Sequence, residues 1–427
     1  MSSKTVFTIC AKNYIGLAQT LEKSVLKYNP EIDFFIFVVD SFNEDKVKLP
    51  QNVLLCENVL GFKKKEWDDL SFKYTLTEFA TSLKPFCFKY LFHHEGTYEK
   101  VIYLDPDIYL FNSIETIFKK LQKYSIVLTP HINEIEENYT GDYNENLFLG
   151  AGTFNLGFLA LKKDENSIKM LKWWGKKLLT ECYVDNFDNT ASDQKWINLL
   201  PSFFDSDDLC VDRHLGLNVA PWNYHEREII MENDNVYVRK RNVITNKKFP
   251  LIFIHFSNYD YNKMLVGEIK HQSLAHKYDD LTFVLKLYIH EIQNSNFKKF
   301  KSLNYSYNYF NNGTPVSKFN RRLYRALTER GEEIAAPFDT GKNSFYCKLK
   351  NKRLITKTNI DRSRQSGFDD WNKSTKIKKN KLGLIVFYLF LKFIKKIIGI
   401  QRYIFFLAVL SKYCRYEKQI FLLKKNM

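Results

Sequence analysis

Lys100-Val-Ile-Tyr-Leu-Asp105-Pro106-Asp107-Ile-Tyr-Leu-Phe111 is the stretch on which the fold turns. An apolar, β-rich run ends in two carboxylates at positions i and i+2, which an extended chain projects to one side. Neighbouring carboxylates repel unless something positive lies between them, and a divalent cation with oxygen ligands is the usual solution. Pro106 fixes a bend and cannot continue strand pairing. A D-x-D spacing is common by itself. Its place at the end of a buried strand points to a cation site.

Outward from this strand, the first half alternates between short apolar runs and helical spacing. Val6–Cys10, Phe34–Val39, Val53–Cys56 and Ser125–Thr129 read as strands. Tyr14–Tyr28, Thr75–His93 and Ile114–Gln122 carry apolar residues at helical intervals, with Pro85 suited to a first helical turn. Near-continuous apolar strands separated by helices predict an α/β, mostly parallel sheet covered on both faces. Ligands of such sheets bind beyond the carboxyl ends of the strands, here Ala11–Asn13, Asp40 and Asp105–Asp107. Beyond Gly150 come an apolar run (Ala151–Leu161), helices at Ile168–Leu179 and Ser192–Leu200, and a strand at Leu251–Phe256. Residues 276–335 read as mainly helical.

Charge is unevenly placed. The net charge is +16, yet residues 342–427 hold 22 Lys/Arg against 4 Asp/Glu, and the first 341 hold 42 against 44. A basic tail on a neutral body does not suggest a nucleic-acid enzyme, whose positive surface spreads over the fold. In the tail, Leu382–Leu391 and Tyr403–Leu410 are apolar but far short of the roughly 20 residues a spanning helix needs. Lys392, Lys395, Lys396 and Arg402 fall within an arc of about 120° at 100° per residue. The tail is therefore expected to lie on a membrane surface as amphipathic helices, the alternative being a helical hairpin packed on the body with its lysines solvated. Expected domains are 1–275 (catalytic), 276–345 (helical extension) and 346–427 (basic linker and membrane-associating helices). Seven scattered cysteines without a C-x-x-C pair fit a reducing compartment. The start MSSKTVFTIC is not a signal peptide, so the expected location is cytoplasmic, peripheral on the inner face of the cell membrane.

The strand ending in D-x-D resembles the nucleotide-sugar fold called GT-A. Four further segments narrow the resemblance to the retaining family that includes glycogenin and bacterial lipooligosaccharide galactosyltransferases. Thr8-Ile-Cys-Ala11-Lys-Asn13-Tyr14 resembles its first strand and uridine-binding turn, and Thr153-Phe-Asn155-Leu-Gly157-Phe its F-N-x-G segment. Ser192-Asp193-Gln194-Lys-Trp-Ile-Asn198 resembles its D-Q-x-x-hydrophobic-N helix, and Ile254-His255-Phe-Ser-Asn its H-F-x-G segment. The matches run in order over about residues 5–260. The resemblance implies Asp105, Asp107 and His255 as metal ligands for Mn²⁺ or Mg²⁺, with Asp105 also on the ribose. It implies donor contacts from Ala11, Asn13, Lys84 and Asn155, sugar hydroxyls held by Asp193, and Gln194 under the anomeric carbon. Lys12-Asn13 stands where the family usually has an Asp, and Asn258 replaces the glycine of H-F-x-G. The Lys-Pro-Trp that should follow is absent, with Lys263 the nearest basic residue.

The expected activity is metal-dependent, retaining transfer of a sugar from a nucleotide-sugar donor, a UDP-sugar first. The acceptor would be a cell-surface glycan or glycolipid, and no nucleic-acid partner is expected. The alternatives are a metal-dependent nucleotidyltransferase and an inactive membrane-bound scaffold. The loop Pro221-Trp-Asn223-Tyr-His225-Glu-Arg227 is a further candidate for the pocket.

Overall fold

The computed structural model describes residues 3–42, 49–93, 98–185, 187–272, 274, 276, 278–355 and 381–423. They form two compact units: Met1–Phe62 with Leu76–Ser306, and Lys63–Thr75 with Tyr307–Met427.

The first unit is built on strands β1 (Lys4–Cys10), β2 (Asp33–Val38), β3 (Val53–Leu55), β4 (Lys100–Leu104), β5 (Ile108–Leu110), β6 (Ile126–Leu128) and β7 (Phe158–Lys162). A small hairpin, β8 (Val184–Asp185) and β9 (Thr190–Ala191), precedes β10 (Leu209–Val211), and β11 (Arg227–Glu232), β12 (Asn235–Lys240), β13 (Phe249–Pro250) and β14 (Phe253–His255) follow. The seven-stranded sheet has the order β10-β6-β7-β4-β1-β2-β3. All its neighbours are parallel except β7, which runs against both β4 and β6. This is the mostly parallel, helix-flanked GT-A architecture, and the helices of the C-terminal region are present as well.

Alternating side chains explain the two covered faces. Val6 and Cys10 of β1 join Ile36, Val38, Ile102 and Leu104 in a cluster with Ile15, Ala18, Leu21 and Val25 of the helix Ile15–Tyr28. Phe7 points the other way, edge-on to Phe88 of the helix Lys84–His93 at 4.8 Å and to Phe37 at 5.6 Å. Burying one such ring contributes about 1.5–3 kcal/mol.

The helix expected over Thr75–His93 is two, Leu76–Ser82 and Lys84–His93, with Pro85 in the first turn of the second. Proline is accommodated there because the leading N–H groups have no intrahelical acceptor. Ser192–Leu200 is not an α-helix: Lys195–Ser202 forms a 3-10 helix that contains Pro201. The pairing of β5 with β14 and the sheet β11-β12-β13 had no counterpart in the sequence reading. β5 and β13 are three and two residues long, too short to show a period.

In the second unit, Phe72 packs against Phe310, Tyr324, Phe338 and Phe345. Arg321 is buried and donates to the carbonyls of Ser71, Phe72 and Tyr74, at the end of the helix Lys64–Lys73. The open carbonyls of a helix C-terminus suit such a cation. The two apolar tail stretches lie in one helical span, Lys381–Tyr413, broken at Gly399 (φ 74°). Among the described residues no helix is long and apolar enough to cross a membrane. Most of the expected basic linker, residues 356–380, lies outside the described residues.

Candidate active site

Strand direction gathers the site. Because β7 runs against β4, with Leu104 opposite Phe158, the residue after β4 meets the residue before β7. The N–H of Asp105 accordingly donates to the Gly157 carbonyl at 2.8 Å. β6 ends beside the same loop: Asn155 N–H donates to Thr129 O at 3.1 Å, and His131 N–H to Thr153 O at 2.9 Å. β14 pairs with β5, setting His255 opposite Ile108.

Asp105 and Asp107 come together in a way the sequence did not foresee. The chain is not extended there. Ile108 N–H donates to Asp105 O at 3.1 Å, closing a tight turn with Pro106 at its second position. The turn aims both carboxylates at His255, whose Nε2 is 3.0 Å from Asp107 Oδ1 and 3.6 Å from Asp105 Oδ2. One ligand atom from each lies within 4.8 Å of the others. Two donors bonded at about 2.1 Å to one ion, at right angles, sit about 3 Å apart. The three side chains therefore fit a shared divalent cation.

The electrostatics agree with that fit. Burial pushes Asp105 above the usual carboxylate range, with Lys84 and His255 only partly countering it. Burial pushes Asp107 up as well, but His255 and Tyr261 outweigh it and hold the group low. Burial opposes a proton on His255, and the two carboxylates raise its pKa all the same. Three groups that perturb one another in this way mark a place made for charge.

Each carboxylate also has a tyrosine that sequence reasoning missed. Tyr103 donates its hydroxyl to Asp105 Oδ1, and the Tyr261 hydroxyl, which also bonds the Phe256 carbonyl, lies 3.2 Å from Asp107 Oδ2. Tyr103 was findable, since it lies two residues before Asp105 on the same strand. Tyr261 had no signal, because β14 and the turn after it bring it in. Lys263 is paired with Glu268 at 2.9 Å on a half-exposed side chain.

Beside the acidic turn, Lys84 is buried, forms an ion pair with Asp193 Oδ2 at 2.8 Å and donates to Leu156 O at 2.7 Å. Its ammonium also lies 4.4 Å from the centre of the Tyr103 ring. Gln194 ties down the loop before β7, with Oε1 accepting from Leu156 N–H and Nε2 donating to Ala151 O, both at 3.0 Å. Asn198 Oδ1 accepts from Thr153 N–H at 2.9 Å. Gly152, at φ 125°, permits this close packing, since a Cβ there would lie 3.2 Å from Gln194 Cγ. Asn155 Oδ1 accepts from Gly157 N–H and from Asn218 Nδ2, each at 3.1 Å.

Lys84, Asp105, Asp107, Asn155, Asp193, Gln194 and His255 thus belong to one connected region. Ala11 and Asn13 stand at the end of β1, the strand next to β4. Tyr14 N–H donates to Ala11 O at 2.9 Å, and Asn13 Oδ1 is buried with no hydrogen-bond partner among the described residues. Lys12 points to Asp40, 3.4 Å from its Oδ1, and to Ser306 Oγ at 2.6 Å. In the loop Pro221–Arg227, Asn223 and Arg227 are bonded to main-chain carbonyls of His131, Asn218, Leu215 and Leu217. Trp222 lies edge-on to His255 and His131, at 5.2 Å each.

A mostly parallel sheet with these groups at its carboxyl edge is the frame expected from the resemblance to GT-A enzymes. Residues 5–197 match the model of glycosyl transferase family 8. The protein is a glycosyltransferase of GT-A fold, its chemistry is sugar transfer, and the likeness to family 8 lies in residues 5–197. Over 290 residues it is 25% identical to YfnF of Bacillus subtilis (strain 168), described as an uncharacterized protein; the match takes in 66% of this chain and 89% of YfnF. Its fold is similar to that of the galactosyltransferase LgtC, solved in complex with donor and acceptor sugar analogs, at 15% identity and a TM-score of 0.39, over 68% of this chain and 96% of LgtC. It is also similar to the glycosyltransferase GlyE of Streptococcus pneumoniae TIGR4, at 17% identity and a TM-score of 0.31, over 50% of this chain and 46% of GlyE.

Proposed function

We propose that the enzyme transfers a hexose from a UDP-sugar, with Mn²⁺ or Mg²⁺, to a cell-surface glycan or glycolipid, retaining the anomeric configuration. The observation that carries the metal dependence is the convergence of Asp105, Asp107 and His255 within 4.8 Å. A cation held there would offset the charge that develops on the leaving diphosphate, by several kcal/mol and without proton transfer.

The protein's own groups supply the rest. Asn155 and Asp193 bind donor-sugar hydroxyls, Lys84 holds Asp193 in place, and Ala11 and Asn13 receive the nucleoside. The carbonyl dipole of Gln194 faces the positive charge that builds at the anomeric carbon. A neutral amide in that position suits front-face displacement, which retains configuration.

The tail gives the acceptor class its support. Ile385–Phe390, Phe393, Ile397, Ile404 and Phe405 are exposed, with Lys392, Lys395, Lys396 and Arg402 exposed among them. Each basic residue near anionic lipid is worth about 1 kcal/mol, so four give roughly 4 kcal/mol before apolar burial. Glu417 pairs with Arg322 at 3.3 Å and Arg325 at 3.5 Å, which ties the chain after this helix to the second unit. We read the helix as peripheral on the inner face of the membrane, where glycolipid acceptors are built.

A panel of nucleotide sugars with Mn²⁺ and Mg²⁺, read by binding and slow hydrolysis, tests the donor reading; binding by no member of the panel rejects it. Co-sedimentation with anionic vesicles, with and without residues 382–427, tests the tail. Equal partitioning of the two forms removes the membrane reading.

A further inference from the structure

Asn218 is fully buried and holds a left-handed backbone, φ 52°, which asparagine tolerates better than most residues. Its Nδ2 donates to Thr129 Oγ1 at 2.9 Å and to Asn155 Oδ1 at 3.1 Å. Its neighbour Val219 is fastened to the strand of His255: Val219 N–H donates to Phe253 O at 3.3 Å, and His255 N–H to Val219 O at 2.8 Å. Asn223 locks the bracket, donating to Asn218 O and His131 O at 3.0 Å each. One short segment thus joins the end of β6, the strand β14 and the loop before β7.

The two ends of an asparagine amide are nearly the same shape, so hydrogen bonds decide which way it faces. Asn155 has Oδ1 held by two donors, Gly157 N–H and Asn218 Nδ2. Its Nδ2 is therefore turned toward His131 Nε2 at 3.4 Å and Gln194 Oε1 at 3.5 Å. Both contacts are at the long limit of a hydrogen bond. A donor held so loosely remains available to an incoming oxygen.

We propose that Asn218 is a positioning residue that fixes the amide of Asn155 so that its N–H₂ end, and not its carbonyl, meets a hydroxyl oxygen of the donor sugar. This rests on the reading of Asn155 as a donor contact. Asn218→Asp keeps shape and backbone tolerance but sets an acceptor against Asn155 Oδ1. The Asn155 amide then turns over, gives up the Gly157 N–H, and presents an oxygen to His131, Gln194 and the sugar. Asn218→Gly keeps the backbone conformation and removes the side chain, leaving Gly157 N–H to orient Asn155.

The test measures three things on each variant: melting temperature, Mn²⁺ affinity by electron paramagnetic resonance, and calorimetric affinity for UDP-glucose or UDP-galactose, whichever the panel shows to bind. Asn218→Asp is expected to weaken donor binding by about tenfold or more, and Asn218→Gly by about threefold, with Mn²⁺ affinity within about twofold of the parent. In the double variant Asn155→Ala/Asn218→Gly, the glycine substitution should add almost nothing to Asn155→Ala, because the two act through one contact. Full additivity, or parent-like donor binding by both Asn218 variants, overturns the proposal. If Asn155→Ala itself binds donor like the parent, the reading of Asn155 fails and takes the positioning role with it. Should Asn218→Asp not fold, Asn218→Gly and the double variant decide alone.

Discussion

Gly157→Ala is a one-methyl change that presses directly on the candidate metal site. A Cβ on residue 157 would lie 2.4 Å from His255 Cε1, 2.6 Å from His255 Nδ1 and 2.8 Å from Asn155 Oδ1. Ordinary carbon contacts begin near 3.5 Å, so the imidazole must retreat by roughly 1 Å. Metal bonds tolerate only about 0.2 Å. His255 Nε2, now 3.0 Å from Asp107 Oδ1, would leave the position where it can share an ion with the two carboxylates. Lost ligand alignment of this kind costs about ten- to a hundredfold in metal affinity, roughly 1.4–2.7 kcal/mol. Overpacking should lower folding stability by about 1–3 kcal/mol. The assay is Mn²⁺ titration by electron paramagnetic resonance, with urea unfolding alongside. A Gly157→Ala protein that binds Mn²⁺ as tightly as the parent would refute the assignment of His255 as a ligand.

Three further outcomes follow from the same geometry. Tyr261→Phe removes the hydroxyl that bonds Asp107, and Mn²⁺ affinity measured as above should fall about tenfold with the fold intact. Lys84→Met leaves Asp193 buried and unpaired, so urea unfolding should show a loss of about 3–5 kcal/mol, much of it recovered by Lys84→Met/Asp193→Asn. His131 gives a pH dependence: burial lowers its pKa to about 4, below the roughly 6.5 of an unfolded chain. The unfolded state then binds more protons between those values, so the contribution is full above about pH 6.5 and is lost as pH falls toward 4. Between pH 7 and pH 5 it should cost about 2 kcal/mol in urea unfolding. His131→Gln should lack that part of the slope.

The sheet and the edge at which the candidate groups gather were legible in sequence because they sit where pattern is strongest. β1, β2 and β4 are apolar runs of five to seven residues, and each ends in a polar group on the same edge of the sheet. The residues that align the site were not legible. Asn218, Tyr261 and His131 reach it from a left-handed bend, a turn after β14 and the end of β6, none of which leaves a periodic trace. At the Pro221–Arg227 loop composition suggested a pocket, and Trp222 does lie against His255. Asn223 and Arg227 are instead bonded to buried carbonyls, which must find donors wherever a loop is packed inside. The paired carboxylates were read correctly as neighbours but for an incomplete reason, since a Pro106 turn and not an extended strand aims them together.

The most direct test of the account is nucleotide-sugar binding by the parent and by Asp107→Ala, each with and without Mn²⁺. Parent binding should strengthen at least tenfold when Mn²⁺ is added, and the Asp107→Ala protein should show neither tight Mn²⁺ binding nor that gain. An Asp107→Ala protein that binds the donor as well as the parent, in the presence of Mn²⁺, would contradict it.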